Sequence, residues 1–303
     1  MGIFDKLKKG LKNTKDSSLK VYTRALRRLY RIIDRKNDEV PDTNGWLNDS
    51  KLKKKYESLS VNIRRHLSSA AHIYHKAVGK EDKYWKDRMF TDQNDYKIHR
   101  KKNNKSAKEE KLWIEDGLKK MKQASSEFKR RISSKLRKTP DESNLWLYTQ
   151  YLILRFYSEI QIRNGLATVE LKPKEKNNYL KKIKGSRYRL FMRTFKASER
   201  IGDRQIEISA ALSRVLANYI KFRAKVDLEH DYLLSNSAGQ VLSKPALGKI
   251  LRKLTGDMLG KGIGTRMLRI FNATKNAKIL EKADEVSNNM LHTSKQSKEY
   301  VRK

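Results

Sequence analysis

The sequence predicts a two-domain, mainly α-helical protein: all-helical in its N-terminal part, α+β in its C-terminal part, where a small antiparallel sheet interrupts the helices. Three observations carry that prediction. Up to residue 136 the apolar residues recur at three- and four-residue intervals, and no segment alternates as a strand would. Lys138-Thr139-Pro140-Asp141 then breaks the pattern. Beyond it the helices become more apolar, and two short strand-like segments appear. The 303 residues suit two domains, because one domain usually takes ~100–200 residues.

In chain order, residues 1–16 are a Lys-rich lead-in, expected to be a mobile basic segment. Ser17 to Lys36 forms a helix, with Leu19, Tyr22, Leu26, Leu29 and Ile33 on one stripe and arginines around it. Pro41, Asn44 and Gly45 end it. Trp46 to Leu59, Val61 to Val78 and Glu81 to His99 are further helices. Arg100–Lys108 is a polar loop, and Leu112 to Leu136 returns to helix. The domain boundary is expected at 138–140, giving domains 17–138 and 140–303. Thr139, Asp141 or Ser143 caps the next helix. That helix, Asn144 to Ile162, is apolar nearly all round and should be buried. Arg189 to Thr194 and Gln205 to Ile208 are the strands, with Lys196–Asp203 as their turn. Ala210 to Phe222 is a helix, Tyr232-Leu233-Leu234 is extended, and Asn236–Gly239 is a turn. Ser243 to Leu259 is a helix with Pro245 in its first turn, where proline is tolerated. Gly264 to Thr274, Ala277 to Met290 and Ser297 onward are short helices.

Charge narrows the function. The formal net charge is +37, and it is not a basic tail on a neutral body. Residues 1–150 carry 39 basic and 20 acidic side chains and residues 151–303 carry 32 and 14, so both domains face the same polyanion. An excess of this size costs self-repulsion in the folded state, and the partner it fits is nucleic acid. A membrane surface suits it poorly, because the basic residues are not gathered on one amphipathic helix. The most apolar stretch, Leu145–Ile162, is interrupted by Thr149, Gln150, Arg155 and Glu159 and is no membrane span. The absence of cysteine excludes disulfides and thiolate metal sites. No metal or other cofactor is expected: Asp203 and Glu207 are the best carboxylate pair for a metal, and a weak one. Gly260-Lys261-Gly262 is too short for a phosphate-binding loop, which argues against ATP use.

What remains is an Arg/Lys/His/Tyr set in the second half. Its segments are Ile162-Arg163-Asn164-Gly165, Thr194-Phe195-Lys196-Ala197-Ser198, Thr265-Arg266-Met267-Leu268-Arg269, and Leu291-His292-Thr293-Ser294 followed by Tyr300. In this order and spacing they resemble the catalytic domain of tyrosine recombinases, over about 145–303. Asp231-Tyr232-Leu233-Leu234-Ser235-Asn236, Gly239 and Leu242-Ser243 resemble the link between that family's conserved boxes. Residues 17–138 resemble its core-binding domain, and the His292–Tyr300 interval is most similar to integrases of large DNA viruses and their satellites. The resemblance implies that Tyr300 is the nucleophile, that Arg163 and Arg269 contact the phosphate, and that His292 donates to a phosphate oxygen or moves protons. It implies that Lys196 protonates the leaving 5′ oxygen. It also implies double-stranded DNA as partner and a homo-tetramer on two DNA sites. Localisation is not readable from the sequence; it would be intracellular, in a host nucleus or viral factory, if the protein is viral. Lys51–Lys55 does not decide localisation, because such clusters serve DNA binding as readily as nuclear import.

The chemistry needs no metal where fixed guanidinium groups hold the non-bridging oxygens. Arginine suits this task, since its fork binds phosphate at two points and stays charged. The sequence departs from the family in three places. Arg266 stands where His or Lys is usual, and a guanidinium is a poor base. Only Val301, Arg302 and Lys303 follow Tyr300, so communication between protomers is expected to use surfaces other than a tail or to be weak. Glu170 lies further from Arg163 than the usual acidic partner. Two other readings stay open. One is a type IB topoisomerase, which Arg269-Ile270-Phe271-Asn272-Ala273-Thr274 and Ser297-Lys298-Glu299-Tyr300 also resemble. The other is a catalytically silent DNA-binding protein.

Overall fold

The computed structural model describes residues 2–34, 40–41, 43–80, 82–101, 105–196, 198–277 and 279. His292, Tyr300 and the last two expected helices lie outside them, apart from the start of the first. The fold class is the one the sequence predicts: mainly helical, with a small sheet in the C-terminal part. The chain divides into two compact units, 1–105 and 106–303.

The first unit consists of α1 (Ile3–Gly10), α2 (Asp16–Tyr30), a 3-10 turn Gly45–Asn48, α3 (Ser50–Glu57), α4 (Val61–Ala77) and α5 (Lys83–Lys101). Its core takes the predicted stripe of α2, namely Leu19, Leu26 and Leu29, with Tyr56, Leu67, Tyr74 and Trp85. The expectation of a mobile lead-in is corrected: Ile3 and Leu7 of α1 are buried in this core. The four-residue spacing puts both on one face, and the lysines that mask it in the sequence point outward. Gly10 is required there, since a Cβ on it would meet the Ala77 carbonyl oxygen at 2.2 Å. Trp85 Nε1 donates to the Leu47 carbonyl at 3.1 Å, which locks α5 to the 3-10 turn.

The second unit begins with α6 (Ala107–Leu112), α7 (Gly117–Leu136) and α8 (Glu142–Glu159). The Asp141 carboxylate caps α8 by accepting from the Asn144 amide at 2.7 Å. Pro140 thus marks a turn between two helices of one compact unit. Met121 and Ile132 of α7 share a core with Leu145 and Leu152 of α8. The compact-unit division therefore falls earlier than the expected 138–140.

After α8 come a 3-10 turn Asn164–Thr168, β1 (Val169–Glu170), β2 (Asn178–Lys182), β3 (Tyr188–Met192), α9 (Ser198–Ile201) and β4 (Arg204–Glu207). The strands form one sheet in the order β1-β2-β3-β4. The hairpin β3–β4 is the predicted antiparallel pair, with Leu190 opposite Ile206. The sheet as a whole is mixed, because β1 and β2 pair in parallel, Val169 with Asn178. The extended Tyr232–Leu234 segment lies beside β1, where the Leu233 amide donates to the Val169 carbonyl at 2.7 Å. The helices α10 (Ala210–Arg223), α11 (Lys244–Leu259) and α12 (Thr265–Lys275) complete the unit. No described helix is long and apolar enough to cross a membrane.

Each unit holds a histidine that folds in its neutral form. His75 is 2% exposed, and its Nδ1 lies 3.1 Å from Asn44 Nδ2. Burial, first among the causes, takes its pKa below 6.5. His230 is lowered by burial and then by the Arg223 charge. A group whose pKa falls on folding confers stability that is full above its unfolded value and lost as the pH drops through its folded value. The melting temperature is therefore expected to decline from about pH 7 to about pH 5. The His75→Gln variant should have a shallower decline, and an unchanged slope would contradict this account.

Candidate functional site

Arg163 follows the apolar helix α8 and enters the 3-10 turn. Tyr157, buried in α8, donates its hydroxyl proton to the Arg163 carbonyl at 2.9 Å. Burial raises the Tyr157 pKa, so it remains a neutral donor. The Arg163 side chain is left exposed. The next residue, Asn164, ties the turn to two helices. Its Nδ2 donates to the Lys244 carbonyl at the start of α11, 2.9 Å away. Its Oδ1 accepts from Thr265 Oγ1 at the start of α12, at 3.1 Å. The approach is close: a Cβ on Gly248 would stand 2.8 Å from Asn164 Nδ2.

On α12, Arg266 and Arg269 are three residues apart and share a face, while Met267, Leu268 and Phe271 are buried. Arg269 is half-buried, and its Nε donates to the Thr265 carbonyl at 3.3 Å. Burial, then the positive charges of Arg163 and Arg266, hold its pKa below the ordinary guanidinium value. Arg163 and Arg266 are therefore near enough to Arg269 for their charges to act on it. Arg266 Nη2 meets Glu109 Oε1 of α6 at 2.6 Å. Glu109 also closes a capping box with Ser106. The Ser106 amide is the first cause that lowers its carboxyl pKa; the Ser106 hydroxyl and Arg266 add to this against burial.

Lys196 lies in the β3–β4 connection and is exposed. It lines a cavity of about 660 Å³ together with Arg163, over an apolar lining that includes Met192, Phe195 and Ile206. Four of the six expected site residues are thus drawn together. Arg163, Arg266 and Arg269 are linked by their charges, and Lys196 shares a cavity with Arg163. His292 and Tyr300 lie outside the described residues.

The acidic residues weighed in the sequence have other partners. Asp203 and Glu207 serve as ion-pair partners of the hairpin, with Arg193 at 3.4 Å and Arg189 at 2.8 Å. Among the described residues no cluster of His, Asp or Glu could hold a metal ion. Glu170 is buried, accepts from Asn177 Nδ2 at 2.6 Å and pairs with Lys174 at 3.1 Å, so its bonds lie away from Arg163. The supporting residues Asn164 and Glu109 are not identified by the sequence. A capping box can be read at Ser106–Glu109, but its arginine partner cannot.

A half-buried guanidinium with other cations near it is relieved by an anion. Arginine forks with a lysine on one side suit the tetrahedral oxygens of a phosphodiester. No known protein family and no curated protein matches the chain. Among solved structures, the crystal structure of XerA recombinase aligns over 99% of this chain and 93% of that one, at 13% identity and a TM-score of 0.40.

Proposed function

We propose that the chain is a site-specific DNA strand transferase of the tyrosine-recombinase type, an integrase acting through a 3′-phosphotyrosine intermediate. The observation that supports the reading is the cavity that Arg163 and Lys196 line together, with the charges of Arg163 and Arg266 acting on the half-buried Arg269. Tyr300 Oη attacks phosphorus while the bond from phosphorus to the 5′ oxygen breaks. The phenol proton passes to His292, and Lys196 Nζ gives a proton to the leaving 5′ oxygen. Arg163, Arg266 and Arg269 hold the non-bridging oxygens as charge builds on them. Arg266 takes no proton, since a guanidinium stays charged. The new ester keeps the energy of the broken one, so a 5′-hydroxyl of a partner strand can rejoin it without ATP or a metal. The N-terminal and C-terminal parts of the chain both contact the duplex, which accounts for the charge they share. The working assembly is a tetramer on two sites, and the strands joined are those of a viral element and its host.

Covalent capture tests the reading. The protein is mixed with random-sequence duplexes carrying a nick that lets the 5′ fragment diffuse away, and the DNA that survives a denaturing quench on the protein is sequenced. One strongly enriched sequence is expected. Many weakly related sequences would indicate topoisomerase-like chemistry. Binding without any adduct would indicate a silent scaffold.

A further inference from the structure

We propose that Asn178 is a positioning residue that holds Lys196 in register with Arg163; the proposal rests on the strand-transfer reading above. Asn178 opens β2 and is 2% exposed. Asparagine is depleted in strands, and a buried amide is costly unless its hydrogen bonds are made. Here the side chain makes all four that it can. Its Oδ1 accepts from the backbone amides of Arg193 at 2.8 Å and Thr194 at 2.9 Å. Its Nδ2 donates to the Thr194 carbonyl at 3.0 Å and to Thr168 Oγ1 at 2.8 Å.

These four bonds run in two directions. Three grip the chain where it leaves β3, two residues before Lys196. The fourth reaches the end of the 3-10 turn, where Thr168 Oγ1 in turn donates to the Gly165 carbonyl at 2.9 Å, two residues after Arg163. Thr194 Oγ1 reinforces the grip by donating to the Lys176 carbonyl at 2.6 Å. Packing alone does not call for this amide, since a valine or threonine would fill the same strand position. What the amide adds is a fixed spacing between the turn that carries Arg163 and the loop that carries Lys196. Asn178 touches neither side chain, so it acts through the backbone of both.

The consequence is confined to one step. Without Asn178, the lysine drifts from the leaving 5′ oxygen, and a displacement near 1 Å costs about 100-fold in rate. The step loses its need for that proton when the bridging 5′ oxygen is replaced by sulfur. The bond from phosphorus to sulfur then breaks to a thiolate, whose conjugate acid has a pKa of about 8.5. Cleavage rates of the wild-type chain, Lys196→Ala and Asn178→Ala are compared on the ordinary strand and on the 5′-thio strand.

Both variants are expected to cleave the ordinary strand about 100-fold more slowly and to recover at least about tenfold of that loss on the thio strand. Recovery by Lys196→Ala but not by Asn178→Ala would overturn the proposal and leave the reading intact. Failure of the wild-type chain to form an adduct with either strand would overturn both. Should Asn178→Ala fail to fold, Thr168→Val cuts the fourth bond and leaves the three to the hairpin. Its loss, about tenfold, is expected to recover on the thio strand in the same way; an unrecovered loss would overturn the proposal.

Discussion

Tyr300→Phe is expected to abolish covalent DNA adducts while leaving duplex affinity unchanged within about twofold. The variant lacks only the hydroxyl that would bond to phosphorus, and affinity in a chain of charge +37 comes chiefly from Lys and Arg neutralising phosphates. The two measurements are a denaturing gel of end-labelled DNA and a binding titration at fixed salt. Adducts that persist in the variant would assign the nucleophile elsewhere. Lost affinity with no folding defect would mean that Tyr300 binds DNA instead of cleaving it.

Arg269→Met is expected to separate activity from stability. Methionine keeps much of the apolar stem and removes the guanidinium. Cleavage should fall about 10²–10³-fold, the usual effect of deleting one donor to a developing oxyanion. The DNA-free protein should become more stable, because Arg269 is half-buried and burdened by the charges of Arg163 and Arg266. A gain of ~1 kcal/mol would raise the melting temperature by about 2–4 °C. Loss of activity together with a lower melting temperature would show that Arg269 holds the fold together. Arg269→Lys restores charge without the fork and should recover little of the rate.

The long helices were legible because each buries one face. The stripe of α2 and the all-round apolar α8 state their environment directly, and Asp141 marks where α8 begins. Helix α1 was not legible, since only Ile3 and Leu7 of its eight residues are buried, among three lysines. The strands β1 and β2 escaped for another reason. Two residues make no pattern, and β2 begins with a buried asparagine and ends on exposed lysines. The arginine set was legible from residue type and spacing, while its supports were not. Asn164 meets Lys244 across 80 positions, and Glu109 meets Arg266 across 157. Such partners exist only once the chain is folded.

The seam after Lys105 bears on how such a gene can be reshuffled. A crossover at Pro140 would part α7 from α8 and leave the faces carrying Met121, Ile132, Leu145 and Leu152 in water. At ~1.5–3 kcal/mol for each large apolar side chain, that exposure rivals the whole stability of a typical domain. A crossover at Ser106 falls at the division between the two compact units. A lineage that trades its N-terminal helices for others would therefore keep α6 and α7 with α8, and Glu109 would travel with the arginine it meets.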